Sequence, residues 1–131
     1  GLPVGCVAGV STGALPIPQA LKVQFIWTER QARVMAVRLV ITVKEDERIL
    51  VVEDVITTGG STRECIAALE SHGAKVIAAA SIIDRSNGAA NVGVPRISLV
   101  SLEVQSYSPE DCPMCANGTD AIKPGSRTEK R

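Results

Sequence analysis

Short apolar runs, each closed by small or polar residues, set the pattern of the chain. Ile49–Val52 is apolar at every position, so both faces of a strand there would be buried, as in a parallel sheet. Val76–Ile83 repeats that pattern. Further extended segments are predicted at Val4–Val10, Val23–Thr28, Val34–Val43 and around Ile97–Val104. Helical spacing appears between them. Thr62–His72 places Cys65, Ile66 and Leu69 on one stripe and stops at Gly73. Pro16 and Pro18 suit the first turn of an earlier helix, where a missing N–H costs little. Strands that alternate with helices predict an α/β architecture, with a largely parallel central sheet flanked by helices.

At 131 residues the chain is expected to form one domain over residues 1–131, with an irregular C-terminal tail from about residue 106. Apolar residues make up 45% and aromatic residues 2%, so Val, Ile and Ala must build the core. Fourteen basic residues balance fourteen acidic ones, which argues against a broad basic surface for nucleic acid. No run approaches the ~18 apolar residues of a membrane span, and no charged-then-apolar leader opens the chain. A cytoplasmic enzyme is expected, without a nucleic-acid or membrane partner. Of the four cysteines, Cys6 and Cys65 lie in apolar stretches and read as buried thiols. Cys112 and Cys115 have C-x-x-C spacing, but no second such pair or His pair completes a zinc site.

Candidate chemistry concentrates in Arg48–Ser61, R-I-L-V-V-E-D-V-I-T-T-G-G-S. The apolar run ends in Glu53 and Asp54, and the loop Thr57-Thr58-Gly59-Gly60-Ser61 leads into the predicted helix. A loop entering a helix aims free amides at an anion. Two carboxylates beside it would repel a bare phosphate, so the ligand should bring Mg2+ or hydroxyls for them to hold. A sugar phosphate fits. Ser61 could cap the helix or touch the phosphate. A second small-residue loop, Ser11-Thr12-Gly13, follows the first predicted strand and could be a plain turn or another phosphate cradle. Asp84-Arg85-Ser86 stands at the carboxyl end of Val76–Ile83, on the edge where open α/β sheets gather ligands. Its plain reading is a surface turn closed by Asn87-Gly88. His72, the one histidine, reads as a surface residue at a helix end.

V-V-E-D-V-I-T-T-G-G-S resembles the phosphoribosyl pyrophosphate (PRPP) signature of type I phosphoribosyltransferases, and within them the orotate phosphoribosyltransferase branch. Gly9–Ala14 is similar to that branch's pyrophosphate loop, with Ala14 where glycine is frequent. Thr28-Glu29-Arg30 and Met35–Arg38 resemble the segment whose basic residues cover the pyrophosphate, although Leu39 and Val40 depart from the pattern. The Thr57-to-Arg85 spacing and the ending C-P-M-C…I-K-P-G-S-R also match the branch.

The resemblance implies a type I phosphoribosyltransferase fold and transfer of ribose 5-phosphate from PRPP to orotate, in pyrimidine (UMP) biosynthesis. It implies that Glu53, Asp54, Val55, Ile56, Thr57, Thr58, Gly59, Gly60 and Ser61 bind PRPP, with Glu53 and Asp54 on the ribose hydroxyls. It implies further that Ser11, Thr12, Gly13 and Arg30 serve the pyrophosphate and that Thr57 and Arg85 touch orotate. Mg2+ would arrive with PRPP, without direct protein ligation, and the enzyme would be a homodimer. Relatives carry an N-terminal hood over the base, so a chain truncated at its N-terminus is expected. The alternatives are a PRPP-binding regulatory module without catalysis and a transferase for another base.

Overall fold

The computed structural model describes residues 3–9, 14–31, 34–37, 43–105, 107–108 and 110–119. Their strands form one sheet. β1 (Cys6–Gly9) is followed by α1 (Pro16–Leu21), then by β2 (Gln24–Gln31) and β3 (Val34–Val37). β4 (Arg48–Ile56) leads into α2 (Gly60–Glu70), and β5 (Lys75–Asp84) and β6 (Arg96–Ser101) complete the sheet before the one-turn α3 (Pro113–Ala116). The spatial order is β3-β2-β1-β4-β5-β6, with every pairing parallel except β2 with β3. The largely parallel sheet expected from the continuous apolar runs is therefore present.

Strand alternation divides the core into two layers. Cys6, Ala8, Ile49 and Val51 face α2, where Cys65, Ile66 and Leu69 meet them. Val7, Val52 and Ala14 pack together in the other layer, beside Ile17 and Phe25. The helical stripe Cys65–Ile66–Leu69 is buried as its spacing predicted. Gly9 is required by close approach rather than by its dihedrals. A Cβ there would lie 2.5 Å from that of Ala14 and 2.9 Å from the Phe25 ring.

Four boundaries differ from those predicted. β4 does not stop before the acidic pair but runs through Glu53 and Asp54 to Ile56, because β5 continues beside it and keeps pairing its backbone. Ser61 does not cap α2. Gly59 is the N-cap, in the left-handed region at φ 75°, and Ser61 is the second helical residue. β2 runs beyond the predicted Thr28 to Gln31, and Arg30 pairs with Met35 of β3. The final strand ends at Ser101, and the chain then touches Ser86 through a single bridge at Glu103.

The layer opposite α2 is thin, since α1 is only six residues long. Beyond it, Ile17, Val52, Ala80, Ile82, Ile97 and Leu99 line an apolar groove of about 300 Å³. Ile97 is 72% exposed and Leu99 81%. Apolar side chains left in water contribute little to stability, whereas Leu69, at 0% exposure, sits in the packed layer. Leu69→Ala should therefore cost about 2–5 kcal/mol in urea unfolding. Ile97→Ser and Leu99→Ser should each stay within about 0.5 kcal/mol.

Candidate active site

The strand order reverses between β1 and β4. β1 lies between β2 and β4: the chain runs outward from β1 to β2 and β3, then returns to β4 on the other side of β1. In open parallel sheets a crevice forms at such a point, outside the carboxyl ends of the strands. Here β4 overhangs its neighbour. Gly9, the last residue of β1, pairs with Val52, so Glu53 to Ile56 project beyond β1. The overhang carries the acidic pair past the end of β1, to the edge of that crevice.

Adjacent side chains on a strand point to opposite faces. Glu53 accordingly turns towards α2 and is 6% exposed, accepting a hydrogen bond from the Thr62 hydroxyl at 3.2 Å. Asp54 turns the other way and is exposed, with one carboxylate oxygen accepting from the Val55 N–H at 2.8 Å. Two acids that look equivalent in sequence thus stand in different surroundings. Burial pushes the Glu53 carboxyl up to about 6. The Thr62 hydrogen bond offsets part of that rise, and the Asp54 charge adds to it.

Glu53 and residues 55–62 line a small cavity of about 70 Å³. That is about two water volumes, the scale of a phosphate group rather than a sugar. Thr57, Thr58 and Ser61 are exposed at its rim. The first amides of α2 have no partner within the helix and carry the positive end of its dipole. The Gly60 N–H makes only a long contact, 3.4 Å, to the Thr58 hydroxyl. Gly59 could not be replaced freely, since a Cβ would meet Val92 Cγ1 at 2.8 Å. A tight loop, free amides and hydroxyls make an oxyanion site with no cationic side chain among its lining residues.

On the next strand Arg85 follows the end of β5. Its N–H donates to the Ile56 carbonyl at 2.8 Å, which places it beside the residue preceding Thr57. The expectation that Arg85 stands at the carboxyl edge of the sheet, beside Glu53 and Asp54, therefore holds. Arg85 is exposed, and among the described residues its guanidinium has no hydrogen-bond or ion-pair partner. Asp84 behaves otherwise than a surface turn residue. It is 1% exposed and accepts from Ser86 N, Ser86 Oγ, Gly88 N and Arg96 Nη1 at 2.6–2.9 Å. Those hydrogen bonds, from Ser86 first, hold its carboxyl well below the usual carboxylate range. The pair Asp84–Arg96 was missed in the sequence because its partners are twelve residues apart and no local pattern joins them.

Ser11, Thr12 and Gly13, like Arg33 and Arg38, lie outside the described residues. Arg30 is placed by its backbone alone: Trp27 pairs with Gly9, so Arg30 stands beyond the end of β1, on the same edge as Glu53. His72 is remote. Its Nδ1 lies 2.8 Å from the Ala68 carbonyl at the far end of α2. Cys112 and Cys115 are unbridged and half-buried at α3, with the Cys112 thiol pulled down by the Cys115 N–H and then by the Cys115 thiol. Among the described residues no three His, Cys, Asp or Glu side chains group to hold a metal ion.

Known proteins resemble the chain over most of its length. A family model described as a phosphoribosyl transferase domain matches residues 21–109. An orotate phosphoribosyltransferase of Carboxydothermus hydrogenoformans is 45% identical, covering 96% of this chain and 66% of that protein. One of Heliobacterium modesticaldum is 46% identical, covering 98% and 69%. The chain thus spans about two thirds of the length of these relatives. Among solved structures, orotate phosphoribosyltransferase from Aeropyrum pernix superimposes with a TM-score of 0.62 at 26% identity, covering 79% of this chain and 65% of that one.

The two environments of the acidic pair can be separated by titration. With glutamate carboxyls labelled with 13C, Glu53 should titrate near pH 6. Thr62→Val should move that midpoint upward, because the hydroxyl favours the ionised form. Since the folded value is raised, folding should lose stability as pH climbs from about 4.5 to about 6. A midpoint at the ordinary glutamate value would contradict the burial argument.

Proposed function

The chain belongs to the phosphoribosyltransferase family, on its orotate branch, and from that premise we propose that it transfers ribose 5-phosphate from PRPP to orotate, giving orotidine 5′-phosphate and pyrophosphate. One observation carries the reading: the oxyanion cavity of residues 55–62, the exposed Asp54 and Arg85, whose guanidinium has no partner among the described residues, share one edge of the sheet at its switch point.

In this reading the amides and hydroxyls of Thr57–Ser61 hold the 5′-phosphate. Asp54, being exposed, meets the ribose hydroxyls directly. Glu53 forms the floor between ribose and phosphate, set by Thr62. As the bond from the anomeric carbon to pyrophosphate breaks and the bond to the ring nitrogen of orotate forms, positive charge builds on the sugar. Two fixed carboxylates stabilise that charge at close range. Arg85 offers a planar pair of donors to the orotate carboxylate, with Thr57 beside it. Arg30 and Ser11–Gly13 serve the leaving pyrophosphate. Catalysis here rests on positioning and charge, and little proton transfer is asked of the protein.

Mg2+ would accompany PRPP and neutralise its pyrophosphate. Glu53 and Asp54 point to opposite faces and do not converge as a metal cage, so substrate oxygens would supply most of its ligands, with Asp54 the one carboxylate open to it. A cytoplasmic homodimer acting in pyrimidine biosynthesis completes the proposal; four unbridged thiols suit a reducing compartment.

Pyrophosphate release, assayed separately with orotate, uracil, adenine and xanthine, decides the substrate. Release with orotate alone is expected. Release with another base would reassign the specificity, and PRPP binding without release would leave a binding module. Asp54→Asn should lower kcat/KM by at least about tenfold, because a neutral amide cannot support the charged sugar. Its unfolding free energy should change by no more than about 0.5 kcal/mol, since Asp54 is exposed.

A further inference from the structure

Arg63 is out of place by helix electrostatics. It lies in the first turn of α2, where the dipole disfavours a cation. Its Nη1 nevertheless donates two hydrogen bonds, to the Thr58 carbonyl at 3.0 Å and to the Asn91 carbonyl at 2.6 Å. A guanidinium nitrogen carries two protons, so both bonds can exist together. Thr58 belongs to the oxyanion loop. Asn91 belongs to the segment that follows Arg85.

The contact between loop and segment is tight where Arg63 spans it. A Cβ on Gly59 would lie 2.8 Å from Val92 Cγ1 and 3.3 Å from Arg63 Nη1, and Val92 itself is 2% exposed. Among the described residues, Arg63 makes the only side-chain hydrogen bonds that join residues 57–61 to residues 86–92. On its other side the segment is fixed to β6. Arg96 Nε donates to the Ala90 carbonyl at 2.8 Å and its Nη1 to Asp84 at 2.8 Å. The Ala90 N–H donates to Ser86 Oγ at 2.9 Å. Arg85 stands at the start of this braced segment with its own guanidinium free among the described residues.

We propose that Arg63 is a positioning residue: by tying the Thr58 carbonyl to the Asn91 carbonyl it sets the spacing between the phosphate-binding loop and the segment headed by Arg85. Which ligands occupy the two sides rests on the function proposed above, but the tie itself does not. Arg63 acts through backbone carbonyls, so it helps the base reach the anomeric carbon without touching either.

The test uses Arg63→Met, which keeps an apolar stem and loses the donors, and Arg63→Lys, which keeps the charge without the planar fork. Hydrogen–deuterium exchange on the ligand-free chain comes first, since it needs no activity. In Arg63→Met the hydrogen-bonded amides of Ser86, Gly88, Ala89 and Ala90, and the residue-63 amide that donates to the Gly59 carbonyl of the loop, should exchange at least about tenfold faster, with β4 and β5 unchanged. Unchanged exchange at these amides would overturn the tie, and acceleration across the whole sheet would show a merely structural role.

Kinetics follow. The orotate KM should rise about tenfold in both variants while the Kd of ribose 5-phosphate stays within about threefold. Weakened ribose 5-phosphate binding that lysine restores, with the orotate KM unchanged, would make Arg63 a phosphate ligand and overturn the proposal. Wild-type chain that binds ribose 5-phosphate but releases no pyrophosphate would count against the proposed function alone, and the exchange result would still decide the tie.

Discussion

Side chains alternate along a strand, and β4 keeps that rule through Ile56, so Glu53 and Asp54 cannot share a wall. Much of the site depends on this. A strand that ended before the acids would have left both on a loop, free to turn the same way. With β5 pairing beside it, β4 buries one acid under α2 and presents the other to the crevice. A carboxylate under a helix N-terminus costs desolvation, which the Thr62 hydroxyl offsets only in part, and the exposed neighbour raises the cost. The two acids are therefore suited to different work. One answers to the helix and the loop before it, the other to whatever enters from solvent.

The end of β5, beside the site, faces a related problem with a different answer. Asp84 is as buried as any apolar core residue, and a lone charge there would be untenable. Four hydrogen bonds, one of them from Arg96, satisfy it. A buried ion pair is weak evidence for stability, because desolvation consumes much of its Coulombic gain. What it does supply is geometry. Arg96 reaches Ala90 and Ser86 as well as Asp84, so the turn after β5 has little freedom, and Arg85 emerges from a fixed backbone.

Composition and periodicity carried the fold a long way. The strands at Ile49, Val76 and Ile97 and the helix stripe Cys65–Ile66–Leu69 are legible because each is a local pattern with its own period. The motif at Glu53–Ser61 was legible too, since the order strand, small-residue loop and helix is itself the chemistry of an anion site. What local pattern could not reveal was where β4 ends, because that depends on how far β5 runs beside it. Gly59 rather than Ser61 as the cap follows from a left-handed φ, not from hydroxyl preference. Asp84 looked like a turn residue, and no local pattern singled out Arg63. Their partners lie twelve and twenty-eight residues away, and only the folded chain brings them together.

Rigidity beneath the crevice comes from a small polar string in an otherwise apolar layer. The Thr28 hydroxyl on β2 donates its one proton to the Gly9 carbonyl at the end of β1, at 3.1 Å. The Cys65 thiol on α2 lies 3.4 Å from the Thr28 hydroxyl oxygen and, with that proton committed to Gly9, must be the donor. Burial keeps this thiol protonated, with its pKa pushed up to about 11. Three elements thus meet at one hydroxyl: the strand before the switch point, its neighbour, and the helix whose first turn makes the oxyanion loop. All three groups are buried, so none can exchange its partner for water without opening the core. The loop residues can be small and exposed because the positions from which they spring are fixed, and a phosphate that settles on them meets amides that need little further ordering.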